Sequence, residues 1–147
     1  MTLKVRIQDD MKSAMKAGDK DRLAIVRLIL AAIKQVEVDE RRELSDEDVL
    51  NVLNKMVKQR RDSVTQYTDG GRQDLADKEA SEIEVLELYL PEQLSADEMA
   101  ALVDAVIAET GAESMRDMGK VMGAVKARAQ GQADMGAVGT LVKQRLN

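Results

Sequence analysis

The residues best suited to chemistry in this chain are cations near its C-terminal end. Arg116, Lys120, Lys126 and Arg128 lie in one short stretch, and Lys143 follows farther on. On a helix, Arg116 and Lys120 share a side while Lys126 and Arg128 flank it, so the cations form a broad face. Such a face suits contacts with the phosphates of a nucleic acid and gives no sign of base readout. An ordinary solvated helix face is the alternative interpretation.

Two glycines, Gly119 and Gly123, lie four residues apart in the same stretch. In a helix each costs up to ~1 kcal/mol relative to alanine, so something should offset that cost. Close packing of another helix is one interpretation. Close approach of a nucleic-acid backbone is the other, and both stay open at this point.

A second basic cluster comprises Lys58, Arg60 and Arg61. Neighbouring arginines can bind phosphate oxygens through paired hydrogen bonds. Alternatively, the cluster is an exposed helix face on which Arg60 pairs with an acid of a neighbouring helix. Acids are plentiful nearby and no aromatic residue is interleaved, which favours this alternative.

The chain has no cysteine and no histidine. This composition excludes nucleophilic Cys/His and Ser/His/Asp arrangements, and it excludes metal sites built on those ligands. Carboxylate pairs such as Asp97 and Glu98 have no polar partners around them, so no acid–base role is assigned. We therefore expect no catalytic residue, no metal and no cofactor.

Charge is distributed unevenly along the 147 residues, whose net charge is −5. Residues 1–80 are balanced, with 16 basic and 16 acidic side chains. Residues 81–110 carry eight acids and no base, whereas residues 111–147 carry six bases and three acids. Such asymmetry indicates a polyanion-binding end, although a charge of +3 is a modest signal.

The elements that must position these residues are predicted to be helices, because 44% of residues are hydrophobic but only 1% are aromatic. Apolar periodicity predicts a first helix that ends at Gly18, a second over about 20–38, a third from Ser45 to Asp69 and a fourth over about 73–89. The second helix is apolar nearly all round, so we expect it to be covered on most sides. On that basis Leu28→Asp should unfold the bundle.

Pro91 is the only proline, and it ends the fourth helix. Ser95 then opens a fifth helix over about 96–109. Two more follow, one from Ser114 to near Gly131 and one after Asp134. The predicted fold is all-α, with an N-terminal bundle of about four helices over residues 1–92 and a small three-helix domain over residues 93–147. No apolar run approaches ~20 residues, so we expect no membrane association and a cytoplasmic protein.

Several motifs together resemble the YqeY family. They are Lys58-Gln59-Arg60-Arg61-Asp62-Ser63, the run from Gly71 to Glu79, Tyr89-Leu90-Pro91-Glu92-Gln93-Leu94-Ser95, and the run from Met118 to Arg128. Family members often have Arg at the position of Gln132, so this chain lacks one candidate phosphate contact.

The resemblance implies an all-helical, two-domain protein with a tRNA-facing role. Similar domains form the C-terminal part of the B subunit of glutamine-dependent tRNA amidotransferases, and others are appended to some glutaminyl-tRNA synthetases. The family label is a carbon–nitrogen ligase with glutamine as amido donor. The catalytic part of the B subunit has no counterpart here, so we expect no catalytic activity of the chain's own.

The resemblance implies tRNA as the partner, together with an aminoacyl-tRNA synthetase or an amidotransferase component. Two alternatives stay open. One is a protein-interaction module that docks a partner enzyme through its Met- and Ala-rich faces. The other is an accessory subunit in glutamine-dependent amide transfer.

Overall fold

A computed structural model describes residues 2–147, and within that range the chain forms helices and no strand. The prediction of an all-α fold is confirmed. The helices are α1 (Leu3–Ala17), α2 (Lys20–Glu40), α3 (Asp46–Asp69), α4 (Gln73–Glu87), α5 (Ala96–Thr110), α6 (Met118–Ala129) and α7 (Met135–Leu146), and a 3-10 turn, Met115–Asp117, precedes α6.

The chain divides into two compact units, Met1–Leu90 and Pro91–Asn147. The first holds α1 to α4 and the second holds α5 to α7. That residues 1–92 and 93–147 behave as separate domains stays a prediction.

The helix ends follow from local side-chain chemistry. Ser45 and Ser95 each accept a hydrogen bond from a backbone N–H in the first turn of the next helix and complete a capping box. Asp134 caps α7 in the same way, accepting from two backbone N–H groups. Gly18 ends α1 with φ +68°, a left-handed conformation that glycine adopts without steric cost. These caps fix where each helix can begin and end.

The core of the first unit lies between its four helices. It consists of Ile7, Ile25, Val26, Ile29, Ile33, Val49, Leu53, Met56, Val57, Leu86 and Tyr89. A partly buried ion pair lies at one end, where Lys4 Nζ donates to both oxygens of Glu37 at 2.9 and 3.0 Å. The backbone N–H of Leu44 also donates to Glu37, so one carboxylate ties α1 and the α2–α3 loop to α2.

One expectation about α2 is wrong. The helix contacts α1, α3 and α4, yet those neighbours do not enclose it, and Leu28 is 48% exposed. Ala24 and Ala31 are exposed beside it, and Val38 is 58% exposed. Arg27, Lys34 and Gln35 are exposed on or beside the same side of α2, and this polar pattern is the sequence signal that the expectation missed. Leu28→Asp would place its carboxylate in water, so the bundle should tolerate it.

The segment just after α4 contacts α1 through Tyr89, which is 4% exposed. Its hydroxyl donates to Asp10 Oδ2 at 2.5 Å, and the Arg6 guanidinium lies over its ring at 5.1 Å. Burial and the adjacent Asp10 raise the pKa of Tyr89 to about 12, because both disfavour the phenolate.

The second unit has its own core, formed by Val103, Val106, Val121, Val125, Ala129, Ala133, Val138, Val142 and Leu146. Gln93 and Leu94 join this unit through hydrogen bonds to the carbonyls of Gly131 and Gln132. In residues 2–147 no helix has the length and apolarity that crossing a bilayer requires.

Candidate nucleic-acid interface

The outward side of α6 is a strip of small residues, Gly119, Gly123 and Ala127, all exposed. We call it the glycine face. At about 100° per residue these three positions lie within one third of the helix circumference. Val121 and Val125 lie on the opposite side and are fully buried against the core of the second unit. The burial of that apolar side therefore forces the glycine face outward.

Neither glycine of this face is used for packing in the described chain. A Cβ built on Gly119 or on Gly123 would have no other atom within 4 Å. The glycine that does pack is Gly139 of α7, where a Cβ would lie 3.6 Å from Met122 Cε and 4.0 Å from Met118 Cε. Packing against another helix of this chain thus does not offset the cost of Gly119 and Gly123.

Two of the predicted cations are tied to the C-terminal end of α5. Lys120 Nζ donates to the carbonyl of Thr110 at 3.0 Å, and Arg128 forms an ion pair with Glu109. A cation is favourable there because the carbonyls at a helix C-terminus carry partial negative charge. The hydrogen bond from Arg128 holds the pKa of the Glu109 carboxyl below its usual range. Both contacts are exposed to solvent, so a phosphate could compete for these cations.

Three predicted cations, Arg116, Lys126 and Lys143, make no ion pair with any residue in the range 2–147. Arg116 lies on the 3-10 turn before α6, and Lys143 lies in the last turn of α7; both are exposed. Lys126 is half-buried and borders the glycine face, with Lys120 on the other border. The glycine face is thus flanked by positive charge.

Sequence reasoning missed the partner of Arg145. Its Nε donates to Asp104 Oδ1 of α5 at 2.8 Å. With the pairing of Arg128 and Glu109, this contact shows that acids of α5 face bases of α6 and α7 within one core. The acidic and basic stretches that are separate in sequence therefore partly neutralise each other in the fold.

The second predicted cluster is engaged with α4. Arg60 Nε donates to Glu82 Oε2 at 2.8 Å, and Arg61 donates to Glu87 Oε1 at 3.1 Å. The Arg60 side chain is only 14% exposed, so this pair links α3 to α4 in a partly dry environment. Lys58 is exposed on the same helix. Because both arginines already hold carboxylates, we build no phosphate site on this cluster.

No group of three or more Asp or Glu side chains in residues 2–147 is arranged to hold a metal ion. Two hydroxyls of the described residues donate to carboxylates, Ser45 Oγ to Asp48 Oδ2 at 2.9 Å and Tyr89 to Asp10, and both pairs lie outside α6 and α7. The candidate interface is therefore a binding surface made of backbone and cations.

Comparison with known proteins places this chain in a family. The family model described as "Yqey-like protein" matches residues 4–146. A Kluyveromyces lactis protein named "Altered inheritance of mitochondria protein 41, mitochondrial" is 35% identical over 78% of this chain and 66% of its own length. Proteins of the same name are 36% identical in Eremothecium gossypii, over 70% of this chain and 58% of that protein, and 29% identical in Pyrenophora tritici-repentis, over 87% and 71%.

These relatives correct one prediction and confirm another. The chain spans about half to two thirds of the length of several curated relatives that it matches. Those relatives are named as mitochondrial proteins, which contradicts the expectation of a cytoplasmic protein that rested on sequence features alone. The resemblance seen in the motifs is confirmed: with a match over residues 4–146, the chain belongs to the YqeY family.

Proposed function

We propose that this protein is a non-catalytic helical module that binds the phosphate backbone of tRNA through α6 and its flanking cations. The observation that carries the proposal is the glycine face. It is outward, it is unused by the chain itself, and Lys120 and Lys126 border it. A helix without side chains along one strip lets a phosphate–ribose backbone lie close to it while flanking cations bind the phosphates.

Charge sets the expected strength of such binding. Of the predicted cations, Arg116, Lys126 and Lys143 are those whose side chains make neither an ion pair nor a hydrogen bond to a described residue. Three phosphate contacts correspond to a slope of roughly −2 to −3 in a plot of log affinity against log salt concentration. Binding should be micromolar or weaker at physiological salt and insensitive to sequence, because no side chain in this set is placed to read bases.

Family membership supports a tRNA ligand over other polyanions. The family resembles the C-terminal part of the amidotransferase B subunit, in which such domains lie apart from the amidation site. The family label of a carbon–nitrogen ligase refers to chemistry that needs a separate catalytic domain. We accordingly propose binding as the function of this chain and assign it no step of amide transfer.

A gel-shift titration with bulk tRNA between 50 and 300 mM salt tests the proposal. The variant Arg116→Glu/Lys126→Glu/Lys143→Glu should lose binding at every salt concentration while keeping its helicity. A matched control, Lys12→Glu/Lys16→Glu/Lys20→Glu, makes the same charge change on exposed positions of the first unit.

The control should bind nearly as well as the parent, because it changes no residue of the second unit, where the proposed phosphate contacts lie. Equal loss in both triple variants would mean that only net charge matters. A parent protein that does not bind even at 50 mM salt would refute the proposal.

A further inference from the structure

Helix α5 holds every base of the second unit whose side chain contacts another described residue. Residues 111–147 carry six bases, and three of these contact α5. Lys120 donates to the carbonyl of Thr110, Arg128 pairs with Glu109, and Arg145 pairs with Asp104. The other three bases are the cations assigned above to three phosphate contacts. The contacts of α5 therefore decide how many cations of this unit are available to a ligand.

These contacts differ in what they do to the charge of the base. The carbonyl of Thr110 carries no net charge, so Lys120 keeps its full positive charge. The carboxylate of Glu109 neutralises Arg128, and a phosphate that approached the pair would meet a negative group beside the positive one. Of the five cations predicted for the C-terminal interface, only Arg128 is neutralised by an acid among the described residues.

The pair of Arg128 and Glu109 is open to water. The two side chains are 46% and 54% exposed, and Arg128 donates through one guanidinium nitrogen, Nη2. Exposed ion pairs of this kind contribute little to folding stability. Removal of the carboxylate should therefore leave the fold intact and leave the guanidinium free to donate to a phosphate.

Arg128 also lies on the helix that forms the proposed interface. It is about 12 Å along α6 from Lys120 and about 80° round the helix from it. Lys120 borders the glycine face, so a free Arg128 would extend the positive charge along that border.

The second ion pair of α5 is alike in kind but different in position. Arg145 and Asp104 are 41% and 56% exposed, close to the values for Arg128 and Glu109. Arg145 lies on α7, about 160° round that helix from Lys143. Because Lys143 belongs to the proposed interface, a free Arg145 would add charge on another side of the helix.

We propose that Glu109 is an autoinhibitory residue that withholds Arg128 from tRNA and so limits the affinity of the α6 interface. The inference rests on the proposed function and assigns a determinant of affinity to that same interface. With Glu109 in place, the interface offers RNA three cations that make no contact of their own, as counted above. Without the carboxylate, Arg128 supplies a fourth phosphate contact.

The variant Glu109→Gln tests this proposal in the gel-shift titration with bulk tRNA. At 100 mM salt it should bind roughly twofold to fivefold more tightly than the parent, the range expected for one exposed charge contact. The slope of log affinity against log salt concentration should become steeper by roughly 0.7–0.9, the value for one additional phosphate contact. Circular dichroism should be unchanged.

Two further variants show whether the gain comes from Arg128. Asp104→Asn makes the same change in net charge and breaks an equally exposed ion pair of α5, so it should bind tRNA as the parent does. Glu109→Gln/Arg128→Gln should lose the gain, because the residue that Glu109 withholds is then absent. Equal tightening by Asp104→Asn, or a gain that persists in the double variant, would overturn the proposal.

A measurement without tRNA tests the pair itself. The hydrogen bond from Arg128 holds the pKa of the Glu109 carboxyl below its usual range. Carboxyl ¹³C shifts followed through a pH titration should therefore give a higher pKa for Glu109 in Arg128→Gln than in the parent. An equal pKa in both would mean that the pair does not form in solution, and the proposal would be wrong.

The gel shifts also separate this inference from the proposed function. If the parent binds tRNA and Glu109→Gln binds it equally well, the proposed function stands and only the inference fails. If neither the parent nor Glu109→Gln binds tRNA at 50 mM salt, the proposed function fails and the inference fails with it.

Discussion

Replacing both glycines of the glycine face should make the protein more stable and less able to bind tRNA. In Gly119→Ala/Gly123→Ala each new methyl group enters open space, because no atom beyond the backbone of α6 itself lies within 4 Å of either Cβ position. Each substitution should then recover most of the helix-propensity difference, or roughly 1.5–2 kcal/mol for the pair. In a small domain that corresponds to a rise in Tm of roughly 6–16 °C, measured by circular dichroism.

The same two methyl groups would stand on the surface that we propose lies against the phosphate–ribose backbone. Affinity for bulk tRNA, measured by gel shift at 100 mM salt, should fall about five- to tenfold, which corresponds to roughly 1–1.4 kcal/mol. If the double variant is more stable but binds tRNA less tightly, the two glycines form a contact surface. If they only weakened the helix, replacing them would leave binding unchanged.

Two substitutions at other glycines serve as controls. Gly139→Ala has room beside the methionines of α6 and should raise Tm without changing tRNA affinity. Gly111→Ala should lower Tm, because Gly111 ends α5 with φ +67°. If the double variant gains stability and binds tRNA as the parent does, the glycine face is not the contact. If the double variant is no more stable than the parent, then Gly119 and Gly123 do not face open space.

Three further outcomes follow from burial and charge in the first unit. Leu28→Asp should shift the free energy of unfolding by no more than ~1 kcal/mol, whereas Ile29→Asp, one residue on and fully buried, should unfold the unit in a urea titration. In a Tyr67→Phe background the absorbance at 295 nm should report Tyr89 alone, with a midpoint near 12 instead of about 10. Because that pKa is raised in the fold, the stabilisation from Tyr89 is complete below pH ~10 and is lost as the pH rises toward 12. The side-chain hydrogen bonds from Lys4 lower the pKa of Glu37. The stabilisation that Glu37 contributes is therefore present above pH ~4.5 and is lost as the pH falls. Glu37→Gln should accordingly flatten the acid side of a Tm–pH profile. A midpoint near 10 for Tyr89, or an unchanged acid slope for Glu37→Gln, would contradict the contacts described here.

Local chemistry made much of the fold predictable. Ser45, Ser95 and Asp134 cap helices through side-chain oxygens within three residues, so sequence alone reveals these ends. Gly18 ends α1 because glycine adopts a left-handed conformation without steric cost. Pro91 has no N–H to continue a helix, so this break is also predictable from local chemistry. The family resemblance rested on an ordered set of such motifs, and the match over residues 4–146 confirmed it.

Features that depend on tertiary contacts could not be predicted. Apolar residues occur nearly all round α2, and the positions of α1, α3 and α4 decide that the side with Leu28 is left open. In the sequence, residues 81–110 carry eight acids and no base. Packing of α5 on α6 and α7 instead brings Glu109 to Arg128 and Asp104 to Arg145. Which cations remain for a ligand is thus decided by helix packing and not by the charge of each segment.

The most direct test of the tRNA proposal is a chemical-shift map of the ¹⁵N-labelled chain titrated with bulk tRNA at 50 mM salt. We predict that the perturbed amides cluster on α6, on the 3-10 turn before it and at the end of α7, and that the shifts reverse as salt rises. Perturbation confined to α1–α4, or no perturbation at saturating tRNA, would contradict the proposal.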